Sequence, residues 1–160
     1  MIYKIFIYFL FLINAIISQT YPELGNTNSL DVITWNIENF PKSNQTTNYV
    51  SEIINDINID IIALQEIQNQ QAFNSLINQL SDNWTGYRAS GGDWGELSYL
   101  INRSNVEITY YPYIILDEYE HYFAYRPPYV VHITFNDTEY IIINVHFKCC
   151  GDGNLEDDYW

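Results

Sequence analysis

The chain has 160 residues, 20 acidic against 6 basic side chains, and a formal net charge of −14. That length suits a single ordinary domain, and the acidic balance argues against non-specific nucleic-acid binding through a basic surface. It leaves room for an enzyme that holds phosphates through a cation, because a bound divalent ion reverses the local field.

Residues 1–18 read as a secretory signal peptide. Met1 to Lys4 gives a short positive start, residues 5–17 are almost wholly apolar, and small Ser18 precedes the polar Gln19 and Thr20. The apolar run is too short and wrongly flanked for a membrane span. A secreted or periplasmic protein without stable membrane association is therefore expected. Residues 19–29 form a polar leader, and residues 30–160 a single domain. Residues 30–37, rich in β-branched side chains and Trp, predict a buried strand. After Pro41, the spacing of Tyr49, Val50, Ile53, Ile54 and Ile57 predicts a helix capped by Thr46 or Thr47. Residues 59–64 predict a second strand, with Glu66 just past its end. Phe73, Leu76, Ile77 and Leu80 mark a second amphipathic helix.

From Ser81 the texture changes. Residues 82–95 read as a Gly- and Trp-containing loop, followed by extended segments near 97–101, 106–110 and 113–116. Residues 130–135 and 140–145 flank Asn136 and Asp137, a hairpin turn in which both residues tolerate left-handed backbone. The class is α+β with a largely antiparallel latter half. The two cysteines, Cys149 and Cys150, are sequence neighbours. Joining them strains the backbone, so free thiols or pairing outside this chain are expected.

A polar residue suited to chemistry follows three core-like runs: Asn36 and Glu38 the first, Glu66 the second, His146 the third. Strand ends that converge at one rim of a sheet commonly carry a site. Taken singly, Glu66 is a solvent-facing carboxylate, Asn36 a turn-former, Arg126 a loop pin before two prolines, and His146 a core histidine. Together they form a pattern. The runs Thr34-Trp35-Asn36-Ile37-Glu38, Leu64-Gln65-Glu66-Ile67 and Asn144-Val145-His146-Phe147-Lys148 resemble, in order, the opening blocks of the DNase-I-like endonuclease/exonuclease/phosphatase superfamily. Between them, the stretch from Gly95-Glu96 to Arg103 and the stretch Phe123 to Val131 around Arg126 resemble two further blocks.

The resemblance implies part of a four-layer α/β/β/α sandwich and a divalent-metal-dependent phosphodiesterase. The expected substrate is DNA or RNA cut by an endonuclease; phospholipid or inositol-phosphate hydrolysis and a non-catalytic binding module are the alternatives. No specific protein partner is implied. By resemblance, Glu66 and Asn36 hold Mg2+, Mn2+ or Ca2+, with Asn36 also near phosphate, and Glu38 joins the metal in some branches. Arg126 binds phosphate, and His146 is catalytic with Glu96 as its orienting carboxylate. Hard oxygen ligands suit those ions. His121 and His132 fall outside the blocks and are read as structural, and the aromatic cluster around 119–129 as core and strand surface. The family's later Gly-Asp-x-Asn block and final Asp-His pair have no counterpart. Gly151-Asp152-Gly153-Asn154 copies the letters, but too soon after His146 for the intervening elements, and reads as a turn. A fragment of a longer product is the expectation.

Overall fold

The structure is a computed structural model that describes residues 21–90 and 95–147. The expected signal peptide, Lys148, the two cysteines and the Gly151–Asn154 turn lie outside the described residues. Among the described residues no helix is long and apolar enough to cross a membrane.

Strand β1 (Val32–Phe40), helix α1 (Thr46–Ile57), strand β2 (Ile61–Ile67) and helix α2 (Gln70–Ile77) follow the order read from the sequence. α1 returns the chain so that β1 and β2 pair in parallel. β4 (Glu96–Asn102) then runs antiparallel to β2, and β3 (Trp84–Arg88) pairs with its outer edge, giving the order β1-β2-β4-β3. The second sheet has the order β5-β6-β7, from β5 (Glu107–Ile114), β6 (Tyr129–Phe135) and β7 (Thr138–Asn144).

Alternate residues of the first sheet build two cores, as the period of two requires. Ile62, Leu64 and Leu100 pack with Val50, Ile54, Phe73 and Leu76 of the helices. Ile61, Ala63, Tyr99 and Ile101 point the other way and meet Val131, Ile133 and Phe135 of the second sheet. Each fully buried aliphatic side chain here contributes about 1.5–3 kcal/mol by leaving water. The described residues thus supply the α, β and β layers of the expected sandwich. Tyr99 ties the sheets together: its hydroxyl lies 2.7 Å from Tyr129 O and 3.0 Å from Ile142 O.

Several local expectations are corrected. Residues 82–95 are not all loop, because β3 occupies Trp84–Arg88. Gly86, inside that stretch, serves close packing: a Cβ there would meet Ile77 Cδ1 at 2.3 Å and Phe73 Cζ at 3.1 Å. α1 is not capped by Thr46 or Thr47. Its N-cap is Gln45 without a side-chain bond, and Thr46 Oγ1 instead accepts from the Ser43 amide of the preceding turn. The separate segments near 106–110 and 113–116 merge into β5, whose pairing with β6 shifts register on both sides of Tyr110. Pro112, which has no amide to donate, falls within the second shift. The leader is docked, with the Leu24 and Gly25 amides donating to Ile57 O at the end of α1. The hairpin turn holds as read, with Asn136 at φ 47° and Asp137 at φ 59°.

Candidate active site

Glu66 lies inside β2 rather than past its end, and the local backbone is irregular for a reason visible in the pairing. Leu64 faces Ser98 and Ile67 faces Glu96, so Gln65 and Glu66 together oppose Leu97 alone. This is a β-bulge, a device that re-aims a side chain at a sheet rim. Glu66 takes φ 64°, a conformation that non-glycine residues adopt only where surrounding contacts enforce it. Gly95, at φ 97°, passes directly over it, and a Cβ at that position would stand 2.8 Å from Glu66 Cα.

The end of β1 meets this bulge. Asn36 Nδ2 donates to Glu66 Oε1 at 3.0 Å, and the Asn39 amide donates to Oε2 at 3.0 Å. Glu38 and Asn39 both have left-handed backbone, turning the chain over the carboxylate. Gln68 Nε2 donates to Asn39 Oδ1, and the amides of Gln68 and Asn69 donate to Phe40 O, lacing the two loops together. From β3, Arg88 Nε donates to Ile67 O at 2.9 Å and fixes the exit from β2.

His146 arrives from the second sheet, two residues beyond β7. Its Nε2 stands 3.7 Å from Glu66 Oε1, and both side chains are largely buried. The Glu66 carboxylate thus stands beside His146, for which the resemblance implied Glu96 as the orienting carboxylate. Glu96 is buried at the start of β4, with its backbone opposite Ile67. Arg126 follows the 3-10 segment Asp117–Phe123, where left-handed turns at Ala124 and Tyr125 lead the chain back toward the rim. It is close enough to act electrostatically on both Glu66 and His146. Glu38 does not join the cluster through its carboxylate. That group is exposed and ion-paired with Lys42 one helical turn later in sequence, while its amide donates to Asn36 Oδ1. His132 bonds the Tyr113 hydroxyl, and the exposed His121 ring lies tilted against Tyr122. In the aromatic cluster Tyr129 is core, but Tyr119, Tyr122 and Tyr125 are solvent-exposed.

Burial pushes the His146 imidazole below the ordinary histidine range, and the Arg126 guanidinium adds to that shift against the opposing pull of Glu66. Burial would raise the Glu66 carboxyl. Hydrogen bonds from the Asn36 side chain and the Asn39 amide, with the field of His146 and Arg126, outweigh it and hold the group below the usual carboxylate range. Near neutral pH the rim thus presents an ionised Glu66 beside a neutral imidazole able to take or give a proton.

The donor set fits a hard divalent cation. Each Glu66 oxygen spends one lone pair on an N–H, and Asn36 Oδ1 accepts from the Glu38 amide, so each of these oxygens keeps a lone pair for a cation. No three His, Cys, Asp or Glu side chains converge as a cage among the described residues. Sequence reasoning missed Asn39, Gln65, Arg88, Gly95 and Asn144 as parts of this architecture. The Gln65, Gly95 and Asn144 positions stood inside matched blocks, but nothing in their spacing announced their contacts.

Comparison with solved structures places this arrangement in a known fold. Humanized D. rerio TDP2 carrying 14 mutations superposes with a TM-score of 0.60 at 16% identity, covering 71% of this chain and 45% of that one. D. rerio TDP2 complexed with single strand DNA product gives 0.59 at 17% identity, over 78% and 48% of the respective chains. Truncated Caenorhabditis elegans TDP2 gives 0.60 at 20% identity, over 76% and 47%. The chain therefore spans just under half the length of these structures, which share its fold. Among curated proteins nothing matches. The sequence model of the endonuclease/exonuclease/phosphatase family matches residues 33–156, a stretch that contains Asn36, Glu66, Glu96, Arg126 and His146. With all of β1 but Val32, the β2 bulge and the β7 exit inside that match, the chain belongs to the endonuclease/exonuclease/phosphatase family.

Proposed function

We propose that this chain is part of a secreted, divalent-metal-dependent phosphodiester hydrolase, an endonuclease acting on DNA or RNA. The observation that carries the reading is the convergence at Glu66: Asn36 Nδ2 at 3.0 Å and His146 Nε2 at 3.7 Å of the same carboxylate oxygen, with Arg126 in electrostatic reach. The single strand DNA product in the D. rerio TDP2 complex supports a nucleic-acid substrate. Secretion rests on the composition of residues 1–18.

Glu66 and Asn36 would hold the cation, which when bound supplies Lewis-acid polarisation of the phosphoryl group. Arg126 neutralises the non-bridging oxygens by charge-assisted hydrogen bonds and orients the phosphate. As imidazolium, His146 gives a proton to the leaving oxygen as its P–O bond breaks and a water oxygen bonds to phosphorus, and the neutral imidazole then takes a proton back from solvent, a role worth roughly 100- to 10,000-fold. Glu96, buried at the adjoining strand start, is proposed to steady the same rim. Two alternatives share this core: a phospholipid or inositol-phosphate hydrolase, and a binding module without turnover.

The test is plasmid nicking by the purified chain in magnesium and manganese, at enzyme excess, beside Glu66→Ala and His146→Ala. Slow nicking that disappears in both variants supports the hydrolase reading. Nicking equal in all three would refute the site, and Glu66-dependent metal binding with no Glu66-dependent cleavage would establish the binding module.

A further inference from the structure

The bulge that aims Glu66 leaves a gap in the β2–β4 ladder, and a residue of the other sheet fills it. Asn144, the last residue of β7, is 2% exposed and spends its whole amide there. Its Nδ2 donates to Leu64 O at 2.9 Å and to Ser98 O at 3.1 Å, the two residues paired immediately before the bulge. Its Oδ1 accepts from Gln65 Nε2 at 2.7 Å. Gln65 is the first bulge residue, is 5% exposed, and also lies within 3.0 Å of Thr34 Oγ1 on β1 and 3.1 Å of Ala63 O.

We infer that Asn144 is a positioning residue: its buried amide holds the bulge in the conformation that turns Glu66 to the rim, and sets the Glu66–His146 separation across the two sheets. The inference rests on the reading of Glu66 as metal ligand and His146 as proton carrier, and explains how two sheets present one site. Without Asn144, the Leu64 and Ser98 carbonyls and the Gln65 amide are buried without these partners, and unmet buried polar groups drive rearrangement. Regularising the ladder is the available escape. A slip of one residue would turn the Glu66 side chain to the opposite face. The same amide fixes the end of β7, and only Val145 separates it from His146.

The test compares Asn144→Leu with Tyr99→Phe, in the 160-residue chain. Tyr99 also bonds across the sheets, to Tyr129 O and Ile142 O, and its hydroxyl faces the Asn144 backbone, but these bonds involve neither the Asn144 side-chain amide nor the bulge carbonyls. It controls for a general loss of stability. Two readouts are taken on protein shown to be folded by circular dichroism: Mn2+ affinity by electron paramagnetic resonance, and the Asn39 amide proton resonance, which reports the Glu66 hydrogen bond without metal. Asn144→Leu should weaken Mn2+ binding at least tenfold and move the Asn39 resonance toward its position in Glu66→Ala. Tyr99→Phe should change neither. Wild-type values in Asn144→Leu, or equal changes in Tyr99→Phe, overturn the inference. If Asn144→Leu does not fold, Gln65→Met, which removes the donor to Asn144 Oδ1 along with its bonds to Thr34 Oγ1 and Ala63 O, should weaken Mn2+ binding at least threefold, and wild-type behaviour there overturns it. If Glu66→Ala binds Mn2+ like wild type, the metal reading fails, and the Asn39 resonance still decides the role of Asn144.

Discussion

Replacing Gly95 by alanine tests whether the Glu66 backbone is held where the structure places it. In an ordinary loop, Gly→Ala stabilises by about 0.4–1 kcal/mol through the entropy of the unfolded chain. Here the sign should reverse for two separate reasons. Gly95 has φ 97°, where a Cβ is strained; even the milder left-handed helical region costs roughly 1–2 kcal/mol. The new Cβ would also stand 2.8 Å from Glu66 Cα and 3.2 Å from its carbonyl carbon, and backbone cannot swing aside like a side-chain tip. Overpacking of that kind costs about 1–3 kcal/mol. Together these give a destabilisation of about 2–4 kcal/mol after the entropic gain is subtracted. For a domain of this size each kcal/mol lowers Tm by roughly 2–4 °C. Thermal unfolding followed by circular dichroism should therefore show a fall of roughly 5–15 °C. Mn2+ affinity should fall too, because relief of the clash displaces Glu66. An unchanged or raised Tm would refute the close approach and with it the described bulge.

Two further outcomes follow from the same contacts. Tyr99→Phe removes one fully buried hydroxyl that serves two carbonyls, at 2.7 and 3.0 Å, and should cost about 1–3 kcal/mol in urea unfolding; no loss would show that the inter-sheet bond is not formed. His146 binds a proton less readily folded than unfolded, so wild type should lose stability relative to His146→Gln as pH falls below the ordinary imidazole value of about 6.5. Unfolding at about pH 7 and about pH 5 checks this in a range where Glu66, held low, stays ionised, and a difference that grows in the opposite direction would contradict it.

The elements read correctly from the sequence are those whose signal is local. The Tyr49–Ile57 spacing gave α1 because one helical face is apolar, and Asn136–Asp137 gave the hairpin because few residues accept left-handed backbone. β3 was missed because Gly86 mimics a turn signal, although the side chains it accommodates, Ile77 and Phe73, lie on α2. The site divides the same way. Asn36, Glu66, Arg126 and His146 were marked by family blocks, and the structure gathers them at one rim. Its inner architecture was hidden, since a bulge at Gln65–Glu66 is a relation between β2 and β4 and Asn144 serves it from another sheet. Glu38 shows the converse. Its match marks a metal position in some branches only, and here its exposed carboxylate pairs with Lys42, a contact no family block signals.

The central claim is that Glu66 and Asn36 form a divalent-cation site at the rim shared by the two sheets. Mn2+ titration of the 160-residue chain, followed by electron paramagnetic resonance, measures it directly. One bound ion is expected in wild type, at least tenfold weaker in Glu66→Ala and in Asn36→Ala, and unchanged in Glu38→Ala, whose carboxylate pairs with Lys42. Equal binding in wild type and Glu66→Ala, or loss confined to Glu38→Ala, would contradict the account.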